Sequence, residues 1–159
     1  MNAVVVTPHF EVVFEQTDML IHIVIDLQST RGACTVLVKI SNVISQLFAE
    51  IDSDRFSQCL LNLYLNALQS MESGGQLTIE YFITKGSLIK IEIKDTGSGI
   101  KSEDLNKIFD PYFTTKAKGT GLGLAIVQKI IEAHKGEITV RSVSGQGTVF
   151  TIIIPIKQI

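Results

Sequence analysis

The stretch from Asp52 to Met71 constrains the fold more than any other part of the 159-residue sequence. Asp52, Ser53 or Asp54 can serve as the N-cap of a helix. The helix then runs to about Met71 and is ended by the turn at positions 73–75, which reads Ser-Gly-Gly. Its side chains are apolar on nearly every side, which is typical of a helix buried within a core. The sequence therefore predicts one domain built around a long buried helix.

The remaining segments alternate between strands and helices. Positions 122–134 read as a second helix, with Gly136 as its C-cap. Positions 19–28 also read as a helix capped by Thr17 or Asp18, with a strand as the alternative because of their Ile and Val content. Period-two alternation predicts strands at 35–41, 76–84, 88–94, 137–143 and 148–156, the last four forming two hairpins around 85–87 and 144–147. These elements predict an α+β fold, a two-layer sandwich with a mostly antiparallel sheet.

Composition excludes several classes of protein. The net charge is −2 with no basic run, which argues against a nucleic-acid partner and against contact with an anionic membrane. Cys34 and Cys59 lie far apart without metal-ligand spacing, so a reducing cytoplasm is expected. The mean hydropathy is +0.31, but the most apolar segment, at 19–27, is interrupted by His22 and Asp26 and is too short to span a bilayer. No secretory signal is recognised at the N-terminus.

An amide stripe runs along the long helix. Gln58, Asn62 and Asn66 recur at every fourth position, which places them on one face. A buried amide without partners is costly, so this stripe is expected to face something polar, such as a cation and its phosphates. The alternative is the ordinary solvent-exposed edge of an amphipathic helix, which the segment taken alone favours.

Two glycine-rich segments offer ligand contacts. Positions 95–100 read Asp-Thr-Gly-Ser-Gly-Ile directly after a predicted strand, so the Asp95 carboxylate can accept from an exocyclic amine such as that of adenine. Positions 119–124 read Gly-Thr-Gly-Leu-Gly-Leu and open the second helix, where free N–H groups and the helix dipole favour an anion. A plain turn and a flexible loop are the respective alternatives.

The long loop between these segments completes the pattern. Positions 108–116 read Ile-Phe-Asp-Pro-Tyr-Phe-Thr-Thr-Lys, and a loop of this length inside a compact domain is usually functional. Positions 102–119 can form a lid that Phe109 and Phe113 anchor on the core, while Lys116 reaches the phosphates. Simple aromatic packing under a surface loop is the alternative.

In this order and spacing, the four segments resemble the N, G1, F and G2 boxes of two-component sensor histidine kinases. The resemblance covers 54–156 closely and 10–53 more loosely, leaving 1–9 as linker residues before a catalytic domain at 10–159. The sequence around Asn62 and Asn66, together with the Phe-Thr-Thr-Lys segment that ends at Lys116, is similar to that of the nitrogen-regulatory and metal-responsive sensor subgroup. The implied fold is of the Bergerat type, with nucleotide held between the helical layer and a mobile lid.

The resemblance implies a role for each matching residue. Asn66 would hold Mg²⁺, Asp95 would bind adenine N6, and Asn62 and Lys116 would act on the phosphates as the catalytic side chains. Thr148 would support the adenine-binding aspartate. The implied ATP site comprises Asn66, Asp95, Gly97, Gly99, Ile100, Phe113, Thr115, Lys116, Gly119, Thr120, Gly121, Leu122, Gly123, Leu124 and Thr148.

The sequence departs from the family pattern at two places. The family's phosphoacceptor histidine is typically followed by an acidic residue, and none of His9, His22 or His134 is. The resemblance therefore implies that the acceptor lies on a separate helical hairpin of a parent kinase. It implies a homodimeric parent of a kind that can be membrane-anchored and that signals to a response regulator, whereas the isolated domain is expected to be monomeric. The second departure is Lys135, where the family often has glycine; this change at a surface turn is expected to be harmless.

Two rival functions stay open. In hydrolytic members of the same superfamily, a glutamate one turn before the metal asparagine activates water; here that position is Asn62, and an amide cannot act as a general base. A degenerate kinase that binds ATP and signals by shape is the other rival. All four boxes are intact in this sequence, which argues against a degenerate kinase.

Overall fold

A computed structural model describes residues 34–40, 52–84, 88–117 and 119–155, with β1 described by its backbone. Its elements in chain order are β1 (Cys34–Ile40), α1 (Ser53–Ser70), β2 (Gly75–Thr84), β3 (Leu88–Asp95), α2 (Gly123–Ala133), β4 (Glu137–Val143) and β5 (Gly147–Pro155). The predicted helix at 19–28 and the histidines at positions 9 and 22 lie outside the described residues. The same is true of positions 41 and 156, which end two predicted strands, and of the predicted turn at 85–87.

The strands form one mixed sheet in the order β1-β2-β3-β5-β4. β1 pairs parallel with β2, and the other three pairings are antiparallel. The two predicted hairpins are present as β2–β3 and β4–β5. The predicted α+β sandwich, with a mostly antiparallel sheet, is therefore confirmed.

Both helices pack on one face of this sheet. Because side chains alternate along a strand, one face of β3 presents Ile91, Ile93 and then Asp95 to the helices, and β5 presents Thr148 on the same side as its apolar residues. The buried core side chains are Cys59, Leu63, Tyr64, Ala67, Met71, Leu77, Ile91, Ile93, Ile108, Val127, Ile130, Ile131, Phe150, Ile152 and Ile154. Burial raises the pKa of the Cys59 thiol to about 12, so it stays a neutral core residue.

α1 begins and ends where the sequence predicts. Asp52 is the N-cap, and its carboxylate accepts from the Arg55 N–H at 3.1 Å. The opposite face of the sheet is polar, and Glu92 there pairs with Lys90 at 2.7 Å and with Arg141 at 3.9 Å. Apolar side chains toward the helices and charged side chains on the other face together determine which face of β3 and β5 packs against α1.

His134 joins the two helices. As the C-cap of α2, it lies with Nδ1 2.6 Å from Ile130 O, and its Nε2 accepts from the Asp52 N–H at 2.9 Å. This pair of contacts is satisfied by the neutral ring with its proton on Nδ1. The cationic histidine that a helix C-terminus would favour is thus not the form that this geometry uses.

The end of α2 differs from the prediction of Gly136 as the helix cap. The left-handed residue is Lys135, with φ 57°, one position earlier. Lys135 N–H donates to Glu132 O at 2.9 Å, and Gly136 N–H donates to Ile131 O at 2.9 Å, which together form a Schellman motif. Gly136 is needed for a different reason: a Cβ there would lie 2.6 Å from Ile153 O.

We predict that Lys135→Gly stabilises the domain by about 1 kcal/mol, because a non-glycine residue in the left-handed region carries a steric cost of this order. Urea unfolding monitored by circular dichroism should show a higher midpoint at an unchanged slope. Gly136→Ala is the matched control at the next position and should destabilise the domain. A midpoint for Lys135→Gly at or below that of the wild type would contradict this account of the turn.

Candidate active site

The centre of the site is the carboxylate of Asp95 at the end of β3. The residue is 4% exposed, and Thr148 on β5 is its partner in the sheet register. Its Oδ1 accepts from Gly97 N–H at 2.8 Å, from Thr148 N–H at 3.2 Å and from Ser70 Oγ at 3.2 Å. Burial raises the pKa of Asp95, and these three hydrogen bonds and the charge of Lys116 lower it, with burial the larger effect.

The two oxygens of this carboxylate are used differently. Among the described residues, every hydrogen bond to the Asp95 side chain ends on Oδ1. Oδ2 therefore keeps its acceptor capacity for a donor that comes from outside the protein. A nearly buried acceptor of this kind suits a specific N–H donor, because an unpaired buried oxygen would cost free energy.

The loop at 96–100 is fixed from two sides. Ser98 N–H donates to Ser70 O at the end of α1 at 3.0 Å, and Ser98 O accepts from Gly145 N–H in the β4–β5 turn at 2.7 Å. Ile100 N–H donates to Ser142 Oγ at 2.8 Å. The side chain of Ile100 is partly buried against the core. The predicted pocket residues Gly97, Gly99 and Ile100 are thus held in place around the Asp95 carboxylate.

The amide stripe of α1 divides into exposed and engaged members. Gln58 is exposed, whereas Asn62 and Asn66 are half-buried. Asn62 Nδ2 reaches Gly123 O, the first residue of α2, at 3.5 Å, and Asn66 Oδ1 accepts from Lys116 Nζ at 3.0 Å. The interpretation as a plain solvent-exposed edge therefore describes Gln58 only.

Lys116 connects the loop to α1. Its ammonium also donates to Gln69 Oε1 at 2.7 Å. Burial of the ammonium lowers the pKa of Lys116, while the negative charge of Asp95 raises it. The Lys116 charge in turn lowers the pKa of Asp95, so the two predicted site residues influence each other electrostatically.

The glycine segment at 119–124 leads into the first turn of α2. Gly119 N–H donates to Lys116 O at 3.0 Å, and Gly121 O accepts from Tyr112 N–H at 2.9 Å, which joins this segment to the loop before it. Leu122 is the N-cap and has no side-chain capping bond, and the first turn contains no acidic residue. The first N–H groups of a helix have no partner within the helix, so an anion can bind here.

The other predicted site residues differ in their burial and in their contacts. Phe113 and Leu124 are partly buried against the core, which fits a role as anchors of the loop. Thr115 is exposed. Thr120 accepts from Leu122 N–H through Oγ1 at 3.4 Å. Thr148 supports Asp95 through its backbone N–H, and its Oγ1 lies 3.1 Å from Ser142 Oγ.

Sequence reasoning missed three residues that the fold brings into the site: Gln69, Ser70 and Ser142. Gln69 and Ser70 lie three and four positions after Asn66, on the same side of α1, which is a signal that helical spacing could have supplied. Ser142 lies on β4, and no local pattern connects it to Ile100. Its contact depends on how the hairpin packs against the loop.

The donor set fits Mg²⁺ bound together with a nucleotide. Within the described residues, no group of three or more His, Cys, Asp or Glu side chains could hold a metal by itself. The Asn66 Oδ1 atom already faces a cation, the Lys116 ammonium, at 3.0 Å. Mg²⁺ is commonly bound through one or two protein oxygens, with water and phosphate oxygens completing its coordination.

No helix in the described part of the chain is long and apolar enough to cross a membrane.

Comparison with known proteins identifies relatives that match most of the chain. The family model for the histidine kinase-, DNA gyrase B- and HSP90-like ATPase matches residues 51–158. The sensor histidine kinase ZraS of Salmonella typhi is 50% identical over 107 residues, covering 67% of this chain and 23% of ZraS. The signal transduction histidine-protein kinase AtoS of Escherichia coli is 44% identical over 133 residues, covering 82% of this chain and 22% of AtoS. The chain thus spans about a quarter of the length of these relatives.

Solved structures agree with this relationship. The catalytic domain of the histidine kinase ThkA is similar with a TM-score of 0.66 and 35% identity, covering 77% of this chain and 78% of that one. Full-length ShkA in complex with AMPPNP is similar with a TM-score of 0.71 and 28% identity, covering 82% of this chain and 27% of that one. The chain belongs to the histidine kinase-, DNA gyrase B- and HSP90-like ATPase family, as a catalytic domain of the sensor histidine kinase type.

Proposed function

We propose that this domain binds Mg-ATP and donates the γ-phosphoryl group to a histidine on a separate helical hairpin of a parent sensor kinase. One observation carries the proposal: Lys116 Nζ donates to Asn66 Oδ1 at 3.0 Å, and its charge lowers the pKa of Asp95. This supports the proposal that a base acceptor, a metal-binding amide and a phosphate-binding cation act in one site. ShkA, a relative of similar fold, was solved with AMPPNP, which supports a nucleotide as the ligand.

Each group has a task that its position allows. Asp95 accepts the adenine amine through Oδ2, and Ile100 offers an apolar surface to the ring. Lys116 binds the phosphates, the first turn of α2 holds their negative charge, and Asn66 contributes an oxygen to Mg²⁺. The metal neutralises charge that develops on the transferred phosphoryl group. The chemistry needs little more than this positioning and charge compensation.

The loop at 102–119 is proposed as a lid that closes over the nucleotide. Phe113 anchors it on the core, and Lys116 fastens it to α1 through Asn66 and Gln69. Asn66 Oδ1 would hold Mg²⁺ in the complex, and Lys116, which donates to this oxygen here at 3.0 Å, would bind the phosphates instead.

The hydrolytic alternative is weaker because of Asn62. Its amide nitrogen reaches Gly123 O, and an amide cannot accept a proton from water at neutral pH. A parent dimer and a response regulator follow from the proposal, since the relatives are sensor histidine kinases far longer than this chain.

Asp95→Asn should weaken ATP binding at least about tenfold without lowering stability. Asn Oδ1 can accept from Gly97 and Thr148 as before, but the new amide nitrogen replaces the acceptor Oδ2. Burial raises the pKa of Asp95, so the folded state favours the neutral carboxyl group. The contribution of this group to the free energy of unfolding is therefore lost as the pH rises through the pKa of the folded state. Removing the charge should therefore leave the free energy of unfolding at neutral pH equal or higher. Calorimetry and urea unfolding measure the two effects, and unchanged ATP affinity would contradict the base assignment.

Asn66→Ala should abolish most of the gain in ATP affinity that Mg²⁺ provides over a chelator. The reason is the loss of Asn66 Oδ1, the oxygen of the amide stripe that accepts from the Lys116 ammonium at 3.0 Å. Gln58→Ala is the control, because Gln58 belongs to the same stripe but is exposed. Titration calorimetry with and without chelator gives both affinities for each protein. A Mg²⁺ effect that survives in Asn66→Ala would exclude this residue as a metal ligand.

The domain alone should neither phosphorylate itself nor release phosphate appreciably from γ-labelled ATP. Both ring nitrogens of His134 are engaged, with Ile130 O and with the Asp52 N–H, so it is a poor acceptor. A nucleophile held on another domain supplies a proximity advantage of up to about 7–11 kcal/mol. Adding a separately made phosphoacceptor domain should give acid-labile label on that domain only. Asp95→Asn serves as the control that should reduce it.

Label on His134 in the absence of the hairpin would contradict the donor-only function. Rapid release of phosphate without a partner would favour the hydrolytic alternative, and tight ATP binding without any transfer would favour a nucleotide-sensing module.

A further inference from the structure

Ser70 is placed where the metal-binding helix meets the base pocket. It is the last residue of α1, four positions after Asn66, and it is half-buried. Its hydroxyl lies 3.2 Å from Asp95 Oδ1, and its carbonyl accepts from Ser98 N–H at 3.0 Å. Ser70 therefore makes hydrogen bonds both to the Asp95 carboxylate and to the loop that follows it.

The space around Ser70 matches this arrangement. A Cβ built on Gly97 would collide with Ser70 Oγ, so the loop can lie this close to the helix end only with glycine at position 97. Gly97 N–H and Ser70 Oγ then reach the same oxygen, Asp95 Oδ1. Together with Thr148 N–H, they hold the carboxylate by one oxygen and leave the other directed to a ligand.

A purely structural role for the hydroxyl also has support. Ser70 Oγ lies 2.7 Å from Ala67 O, and the Met71 N–H, which would otherwise reach that carbonyl, donates to Leu68 O. A hydroxyl has one proton, so it serves one of the two acceptors at a time. The two roles predict different consequences for adenine recognition.

We propose that Ser70 is a positioning residue for adenine specificity, holding Asp95 Oδ1 so that Oδ2 meets the exocyclic amine of the base. This inference rests on the proposed binding of ATP and adds a residue that sets base selectivity. Ser70 does not touch the nucleotide. It acts through the orientation of Asp95, so its contribution depends on whether the base carries the amine.

The test compares ATP with purine riboside 5′-triphosphate, which lacks the 6-amino group. Ser70→Ala should weaken ATP about fivefold, the effect of losing one hydrogen bond to the carboxylate. It should change the affinity for the amine-free nucleotide less than about twofold. Ser70→Thr keeps the hydroxyl and should retain the preference of the wild type. Titration calorimetry with Mg²⁺ present gives all six affinities.

Ser98→Ala is the matched control. Ser98 is exposed, and its hydrogen bonds to other described residues are made by its backbone, so removing its hydroxyl should leave both affinities unchanged. Equal weakening of both nucleotides in Ser70→Ala would overturn the inference in favour of the structural role at Ala67 O. No weakening of either would overturn it as well.

The wild type separates failure of this inference from failure of the proposed function. If the wild type shows no preference for ATP over the amine-free nucleotide, the assignment of Asp95 to the adenine amine is wrong, and the inference falls with it. If the wild type and Ser98→Ala prefer ATP, and Ser70→Ala prefers it equally, only the role of Ser70 is wrong.

Discussion

A buried carboxylate has to be supplied with hydrogen-bond donors, and the arrangement that supplies Asp95 organises the whole site. Donors come from three separate elements: the loop after β3, the start of β5 and the end of α1. Each of these is held by the sheet register or by helix packing, so the fold as a whole determines where the carboxylate points. Burial raises the pKa of Asp95, and these donors offset part of that cost because their hydrogen bonds lower it.

The loop with Lys116 depends on the same arrangement. Its ammonium is tied to α1 through Asn66 and Gln69, while the charge of Asp95 favours the protonated lysine. The cation thereby links α1, the Asp95 carboxylate and the loop that we propose as a lid. Because the contacts are exposed hydrogen bonds, they can be exchanged for contacts with phosphate at modest cost.

Two positions show how this chain fits its family with local changes. Asn62 occupies the place of a hydrolytic glutamate, and its contact with Gly123 O at 3.5 Å suits an amide donor. Lys135 adopts the left-handed conformation that glycine favours, with the complete pair of Schellman hydrogen bonds around it. The residue carries a conformational cost in this region, and the expectation that the change is harmless stays a prediction.

The sequence by itself determined the described helices and strands, and it supplied the candidate site residues. Local rules suffice for these: capping at Asp52, period-two alternation in the hairpins, and helical spacing that aligns Asn62 with Asn66. The family resemblance added the order in which the segments meet. The tertiary structure decided which oxygen of Asp95 is left for a ligand, that Lys116 lies on Asn66, and that Gln69, Ser70 and Ser142 belong to the site. Those contacts join residues 25 to 50 positions apart. Helical spacing can place Gln69 and Ser70 beside Asn66, but only the packing of α1, the loops and the hairpins against one another brings the partners of these residues to them.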